Sequence, residues 1–349
     1  MRSVSRSVRG LLKRRFGSAL RFTQLTNLTL LTLAALHGGS LQPAALARRL
    51  PTQTTFRHNE KRVHRFVGNR RLPANTIIFD RLLGMILILT TKGKLVPVTI
   101  VDETDLPGGC QGLVAAIPHL GRALPFAFSI FRHDQMPAGQ KVIEREFFSL
   151  VACLLRFHNL EPVFILDRGY ADIKLIRYFT EELHAHFIIR APGNVCVWLP
   201  GYAGRLSKLG RTGQWEAISY HRTKPTRLNL AVFWGKDHYG KEELVYLVTD
   251  LPADEAQERY RLRMRIEEGF RDLKTTLGLK HLRPRKDVEL RVRHLLLVAM
   301  VTACVAAYLY PRAVAERARV VKRQSDVSFV QLVVMVYRLR WSCYVSGAG

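Results

Sequence analysis

From Val96 to Arg190 the chain alternates short apolar, β-branched runs with longer stretches of helical periodicity. That alternation constrains the fold more than any other feature. Val96–Val101 (VPVTIV), Gln111–Pro118 and Leu124–Arg132 (LPFAFSIFR) read as three strands. Gln140–His158 has a helical period, Val163–Leu166 (VFIL) is a short buried strand, a helix follows near Asp172–His184, and Phe187–Arg190 is another strand. Residues 75–91 form a helix leading into the first strand. The order predicts an α/β fold, a mixed sheet flanked by helices. From Ala191 to Asp250, VCVWL, QWEAISYH, LNLAVFWGK and ELVYLVTD alternate with Pro/Gly-containing turns, which predicts a β-rich insertion over 191–252. A helix resumes near Asp254, and the apolar run Leu295–Tyr310, short of the ~20 residues a bilayer demands, reads as a buried core helix.

Two apolar runs end on an aspartate. Asp102 follows VTIV and Asp167 follows VFIL, which puts both carboxylates at or near strand ends, where α/β sheets carry their sites. Each also has a plain structural reading: Asp102 as a turn initiator, Asp167 as a helix cap. Asp80 follows a similar run (TIIF) but leads into RLLGMILIL, which continues as helix.

The stretch Tyr260–Lys274, YRLRMRIEEGFRDLK, supplies a third carboxylate. On a helical wheel Tyr260, Arg263, Glu267 and Lys274 share an arc of roughly 60°. Leu262, Ile266, Phe270, Leu273 and Leu277 make a core-facing stripe beside it. Arg263 and Glu267 could be a simple i,i+4 pair on a solvated face. Converging with Asp102 and Asp167, however, Glu267 completes an oxygen-rich set suited to hard divalent cations, Mg²⁺ or Mn²⁺, two of which suffice for phosphodiester chemistry. Arg263 and Lys274 would then meet phosphates near the scissile bond.

Charge points to the same substrate. The chain has 54 Lys+Arg against 28 Asp+Glu, a formal net charge of +26, and so large an excess favours a polyanion such as nucleic acid. Residues 1–71 hold fifteen Lys/Arg and one acid, Glu60. Two helices are predicted there, Leu41–Leu50 and Thr55–Val67, the second carrying Arg57, Lys61, Arg62 and Arg65; they suit a helical DNA-binding module over 1–74. The five cysteines are widely spaced and lack metal-ligand spacing, so free thiols in a reducing compartment are expected.

The spacing Tyr260, Arg263, Glu267, Lys274 resembles the Y-R-E-K signature of a group of bacterial insertion-sequence DDE transposases. Val101-Asp102-Glu103-Thr104 and Leu166-Asp167-Arg168-Gly169-Tyr170 resemble the segments that bear the group's two aspartates. The likeness spans about Leu95 to Tyr310. It implies an RNase H-like catalytic domain over 75–190 and 253–310, interrupted by the insertion and followed by a helical tail over 311–349. It also implies catalysis by Asp102, Asp167 and Glu267 through bound Mg²⁺ or Mn²⁺, and DNA contacts from Tyr260, Arg263 and Lys274. The expected reaction is cut-and-paste transposition, commonly through hairpinned ends. Its partners are double-stranded DNA (terminal inverted repeats and target) and a second protomer, in the cytoplasm at the nucleoid. The insertion of that group can hold an extruded base on an aromatic, for which Trp215 and Trp234 are candidates. Glu103 stands where the group more often has Asp or Trp, Glu268 sits beside Glu267, and the tail WSCYVSGAG hints at a shortened C-terminal part. An inactive DNA-binding derivative and a nuclease of the same fold are the alternatives.

Overall fold

The computed structural model describes residues 2–90, 98–136, 139–236, 240–284, 286–320 and 327–345, with the side chains of 2–3, 316–320 and 339–345 excepted. Val96 and Pro97 of the first predicted strand, and residues 346–349 of the tail, lie outside the described residues.

Five helices come first: α1 (Arg2–Phe16), α2 (Phe22–Gly38), α3 (Pro43–Arg49), α4 (Phe56–Val67) and α5 (Thr76–Thr90). Then follow β1 (Thr99–Leu106), β2 (Cys110–His119), β3 (Arg122–Phe131), α6 (Gln140–Phe157), β4 (Val163–Leu166), α7 (Ile173–Arg177) and β5 (His186–Arg190). The β-rich segment holds β6 (Cys196–Leu199), β7 (Tyr202–Arg205), β8 (Gly213–Tyr220), β9 (Thr226–Lys236) and β10 (Glu242–Thr249). It is followed by α8 (Ala253–Tyr260), α9 (Met264–Arg271), α10 (Val288–Val320) and α11 (Phe329–Val345). Asp80 lies inside α5, where His158 Nε2 sits 2.8 Å from its carboxylate.

All strands join one 10-stranded sheet in the order β3-β2-β1-β4-β5-β10-β9-β8-β6-β7. β1, β4 and β5 run parallel and the hairpins flanking them run antiparallel, so the sheet is mixed. β4 is buried at every position, which is why VFIL reads as an unbroken apolar run rather than an alternating one. The insertion extends this sheet directly, because β10 pairs with β5 from Leu247↔Arg190 to Thr249↔Ile188.

The sheet has two dressed faces. On one, Ile100, Ile165, Ile188 and Leu247 pack against Ile266 of α9 and Ala253 and Ala256 of α8. On the other, Phe164 and Phe187 stack on Phe179, and Phe148 of α6 meets Phe164 edge-on at 5.2 Å. The same Phe148 packs edge-on against Tyr170 at 5.9 Å, so this aromatic cluster fixes the turn that follows Asp167.

The N-terminal helices belong to the larger core. α2 packs on α10 and α11, and its residues Leu28–His37 are all buried, explaining a helix that is apolar nearly all round. α10 contains a stretch, Val288–Ala315, long and apolar enough to cross a membrane, but 89% of its apolar window is buried inside the protein. Cys110, Cys153, Cys196 and Cys304 are free thiols.

Candidate active site

β1 and β4 are paired in parallel at Thr99↔Phe164 and Ile100↔Ile165. Two residues further along each strand stand Asp102 and Asp167, so the carboxylates start from equivalent positions on adjacent strands, about 4.8 Å apart in the pairing direction. Side chains alternate between faces, so Asp102 shares the face of Ile100, and Asp167 that of Ile165. That is the face covered by α9, the helix bearing Glu267.

The sequence places Asp102 where its strand ends, and this is corrected in part. β1 runs on to Leu106, because β2 pairs with it from Ile100↔Ala116 to Leu106↔Cys110. Only the pairing with β4 stops before Asp102, which leaves its carboxylate open toward β4's end.

Tyr260 to Lys274 is a continuous helical segment but not a uniform one. Arg261–Arg263 is a 3₁₀ turn, α9 is α-helical, and Asp272–Thr276 is a π turn. Ile266, Leu273 and Leu277 are buried, as the apolar stripe predicts. Gly269 allows α9 its approach: a Cβ there would lie 2.6 Å from the carbonyl oxygen of Ala123 in β3.

Arg263 sits among the carboxylates. Its Nη2 donates to Glu267 at 2.7 Å, and its Nη1 lies 3.6 Å from Asp102. The guanidinium is 12% exposed, Asp102 20% and Glu267 45%. Burial pushes the Asp102 carboxyl up to about 6, against which Arg263 and the Glu103 N–H pull it down, while Asp167 and Glu267 push it further up. Asp167 is likewise among the charges felt by Arg263 and by Tyr260. Thus one guanidinium pairs with Glu267, approaches Asp102 and lies in the field of Asp167, while Asp167 and Glu267 both repel the Asp102 charge.

The remaining residues of the stripe also face this site. Tyr260 has a buried hydroxyl without a hydrogen-bond partner; burial raises its pKa, with Arg263 and Arg190 opposing and Asp167 and Asp102 adding. Lys274 is half-buried with its Nζ 6.0 Å from the Phe270 ring centroid. Burial lowers its pKa, and the nearby Asp105 and Asp102 draw it back.

Glu268 is engaged elsewhere. It pairs with Arg122 at 3.2 Å and Arg271 at 2.8 Å, leaving Glu267 as the acid turned to the site. Arg122 also binds the buried Asp272 at 3.2 Å, and Asp272 accepts from Ser328 at 2.8 Å. This network ties the π turn to β3 and to the segment entering α11.

Two further residues border this cluster without being candidate site residues of the sequence. Arg190 closes β5 as Asp167 follows β4, and it shares their face; it pairs with Glu243 of β10 at 2.5 Å. Its signal is an apolar run closed by a charge, FIIR, of the same form as the runs that end on Asp102 and Asp167. Tyr170 lies beneath the site with a buried, unpartnered hydroxyl, its pKa raised well above the usual range by burial and by Asp102 among other acids. Its signal is its place in the segment Leu166-Asp167-Arg168-Gly169-Tyr170, though nothing there tells that its hydroxyl is buried.

The basic residues of α4 are separate from this cluster. Arg57, Lys61 and Arg65 are exposed and Arg62 is half-buried. Of the tryptophans, Trp215 is partly packed with Arg211 over its ring at 5.6 Å, while Trp234 is 61% exposed. Trp234 alternates with Phe233, whose face is that of Asp102, so it stands on the opposite face of the sheet.

Among the described residues no three His, Cys, Asp or Glu side chains are gathered tightly enough to hold a metal ion. The donor set nevertheless fits a divalent cation by chemistry. Its acids are oxygen ligands, they are electrostatically coupled, and the one positive group drawn among them, Arg263, stands where a cation is wanted.

No curated protein matches the chain. Residues 132–303 match the family model described as the transposase DDE domain. The match runs from the end of β3 into α10 and includes Asp167, Glu267 and the whole Tyr260–Lys274 stripe; Asp102 precedes it. The match supports reading residues 132–303 as a transposase DDE domain.

Proposed function

We propose that the protein is a DNA transposase of the Y-R-E-K group, with an RNase H-like core. The sheet order β3-β2-β1-β4-β5 behind the site supports that core. The observation that carries the reading is the register-matched pair Asp102 and Asp167 beneath Glu267, with Arg263 between them.

Asp102, Asp167 and Glu267 would hold Mg²⁺ or Mn²⁺. Bound divalent ions in such a site activate a water or 3′-hydroxyl and neutralise the leaving oxyanion. The residues of the chain do the rest. Arg263 holds Glu267 and Asp102 until a DNA phosphate offers its guanidinium a bidentate partner. Tyr260 keeps a donor hydroxyl free for a phosphate oxygen. Lys274, half-buried and near Asp105 and Asp102, would approach a phosphate from the Asp105 side. Arg190, held by Glu243, lines the far edge of the same face. The basic face of α4 (Arg57, Lys61, Arg65, with Arg62 beside them) binds the terminal inverted repeats, and α3 and α4 form the DNA-reading pair. Cut-and-paste transfer, through hairpin ends, then requires two protomers acting on two ends. The opposite-face position of Trp234 does not support the extruded-base contact, and Trp215 is partly packed; neither is assigned that role.

The test uses the full chain and duplex DNA carrying the repeats that flank its reading frame, in Mg²⁺. Glu267→Gln should bind this DNA as the parent does and lose nicking and strand transfer by at least 10²-fold, the order expected for removing one essential catalytic group. Parental cleavage in that variant overturns the assignment. Binding by the parent without cleavage would make the chain a DNA-binding derivative, and cleavage without strand transfer a nuclease.

A further inference from the structure

A cavity of about 350 Å³ lies away from the carboxylates, where α4, the segment around Leu282 and Pro284, and the first turns of α10 meet. Its size falls at the small end of ligand pockets, about 300–1,000 Å³. The walls are apolar: Pro43, Val67, Leu282, Pro284 and Leu295. The polar groups it presents are cationic or can become so: His64, Arg283, Lys286 and Arg291. Among the described residues no carboxylate lines it.

The cations are unusually free. Among the described residues none of Arg283, Lys286 and Arg291 is ion-paired. Arg291 Nε is buried without a hydrogen-bond partner. Such an atom costs stability unless an acceptor arrives. Arg291 Nη1 lies 3.4 Å from His64 Nδ1, which as acceptor would leave the imidazole proton on Nε2. Arg283 is fixed through Nη1, which donates to the carbonyls of Lys280 and Leu282 at 3.2 and 3.0 Å, so its other N–H groups remain for a ligand. The acids nearest in sequence are spent outside the cavity, Asp287 on Arg70 at 3.3 Å and Glu289 on Arg293.

An apolar box with converging cations and no acid fits a small anionic amphiphile. We infer that this cavity is a binding site for a single nucleotide unit, its phosphate on Arg291, Lys286 and Arg283 and its base or sugar against the proline and leucine walls. Arg guanidinium and Lys ammonium take phosphate through charge-assisted hydrogen bonds, and the apolar walls distinguish a nucleotide from bare phosphate. The unit is either a free nucleotide or an unpaired nucleotide of DNA; in the second case the cavity couples the α3–α4 pair to α10, and the inference rests on the DNA reading above.

The full chain is titrated calorimetrically with deoxyadenosine monophosphate and with inorganic phosphate, and by anisotropy with blunt duplex DNA and the same duplex carrying a one-nucleotide overhang. The parent should bind the mononucleotide more tightly than phosphate. Lys286→Ala, an exposed site, and Arg291→Gln should each weaken it about tenfold or more, the value of one charge-assisted bond. If the overhang tightens DNA binding in the parent and not in Lys286→Ala, the source is DNA; if only the mononucleotide responds to the variants, the source is free nucleotide. No mononucleotide binding by the parent, together with no effect of the overhang, overturns the inference, as does unchanged binding in both variants. A parent that binds no duplex at all would remove the DNA reading and leave the mononucleotide titration to decide the cavity.

Discussion

Replacing Asp102 by Asn should make the protein more stable and inactive at once, and the gain should depend on pH in a defined window. Burial holds the Asp102 carboxyl at about 6, against an ordinary 3.8. A group whose folded value is raised favours folding in its protonated form. Its contribution is fully present below 3.8 and is lost as pH rises through about 6. At about 1.4 kcal/mol for each pH unit between the two values, ionising Asp102 in the folded protein costs about 3 kcal/mol. Only a fifth of the side chain is exposed, so solvent screening takes little of this away. Asp102→Asn copies the protonated carboxyl in size and removes that cost. The pull of Arg263, 3.6 Å away, is already contained in the raised value and is not subtracted again. Urea unfolding of parent and variant in chelator should therefore show almost no difference near pH 3 and a gain of about 3 kcal/mol at pH 8, or about 4 °C in Tm for a chain of this length. A variant no more stable than the parent at pH 8, or a gain that does not change with pH, would refute the argument that the site is strained by its own charge.

Other perturbations test separate parts of the structure. Gly269→Ala should push α9 off β3, since the added methyl carbon meets the Ala123 carbonyl at 2.6 Å; a loss of about 1–3 kcal/mol is expected, with cleavage falling while DNA binding through α4 persists. The triple change Arg57→Ala, Lys61→Ala, Arg65→Ala should weaken duplex binding and lower its log–log salt slope by about 0.9 for each phosphate that is no longer neutralised, measured by anisotropy across a salt series. His186 bridges Asp250 at 2.6 Å and Glu161 at 2.8 Å; burial opposes its charge, but the two acids outweigh burial and raise its pKa. Its stabilisation is complete below about 6.5 and is lost as pH climbs through the raised value, so Glu161→Gln should flatten the fall in Tm as pH rises above about 6.5.

What could be read from the chain followed from local pattern. VFIL ending on Asp167 was legible because a doubly covered parallel strand must be apolar throughout. The extension of β1 through Glu103–Leu106 was not, because DETD has poor strand propensity; it is held by pairing to β2, across a Pro-Gly-Gly turn. The same limit applies to the joining of the insertion to the sheet. The link is a β10–β5 ladder between residues more than fifty positions apart, and nothing in either strand's composition names its neighbour. The stripe Tyr260–Lys274 was legible as a helical face, but its 3₁₀ entry and π exit were not. The exit is bound to tertiary partners: Asp272 is buried against Arg122 and Ser328, and those contacts hold the turn in which Lys274 sits.

Arg263 joins the structural and the functional readings of that stripe. As a helix pair with Glu267 it is an i,i+4 bridge of the kind worth a few tenths of a kcal/mol on an exposed helix. Here the guanidinium is nearly buried, stands 3.6 Å from Asp102 and feels the charge of Asp167, while Glu267 remains almost half exposed. The asymmetry decides which partner can leave. Glu267 loses little on release because water can solvate it, whereas Arg263 needs a replacement anion in place before it gives up its carboxylates. On the function proposed above, a DNA phosphate arriving from the open side would supply that anion. On that function Arg263 would couple the arrival of substrate to the freeing of the acids, and before then its charge offsets the repulsion among them.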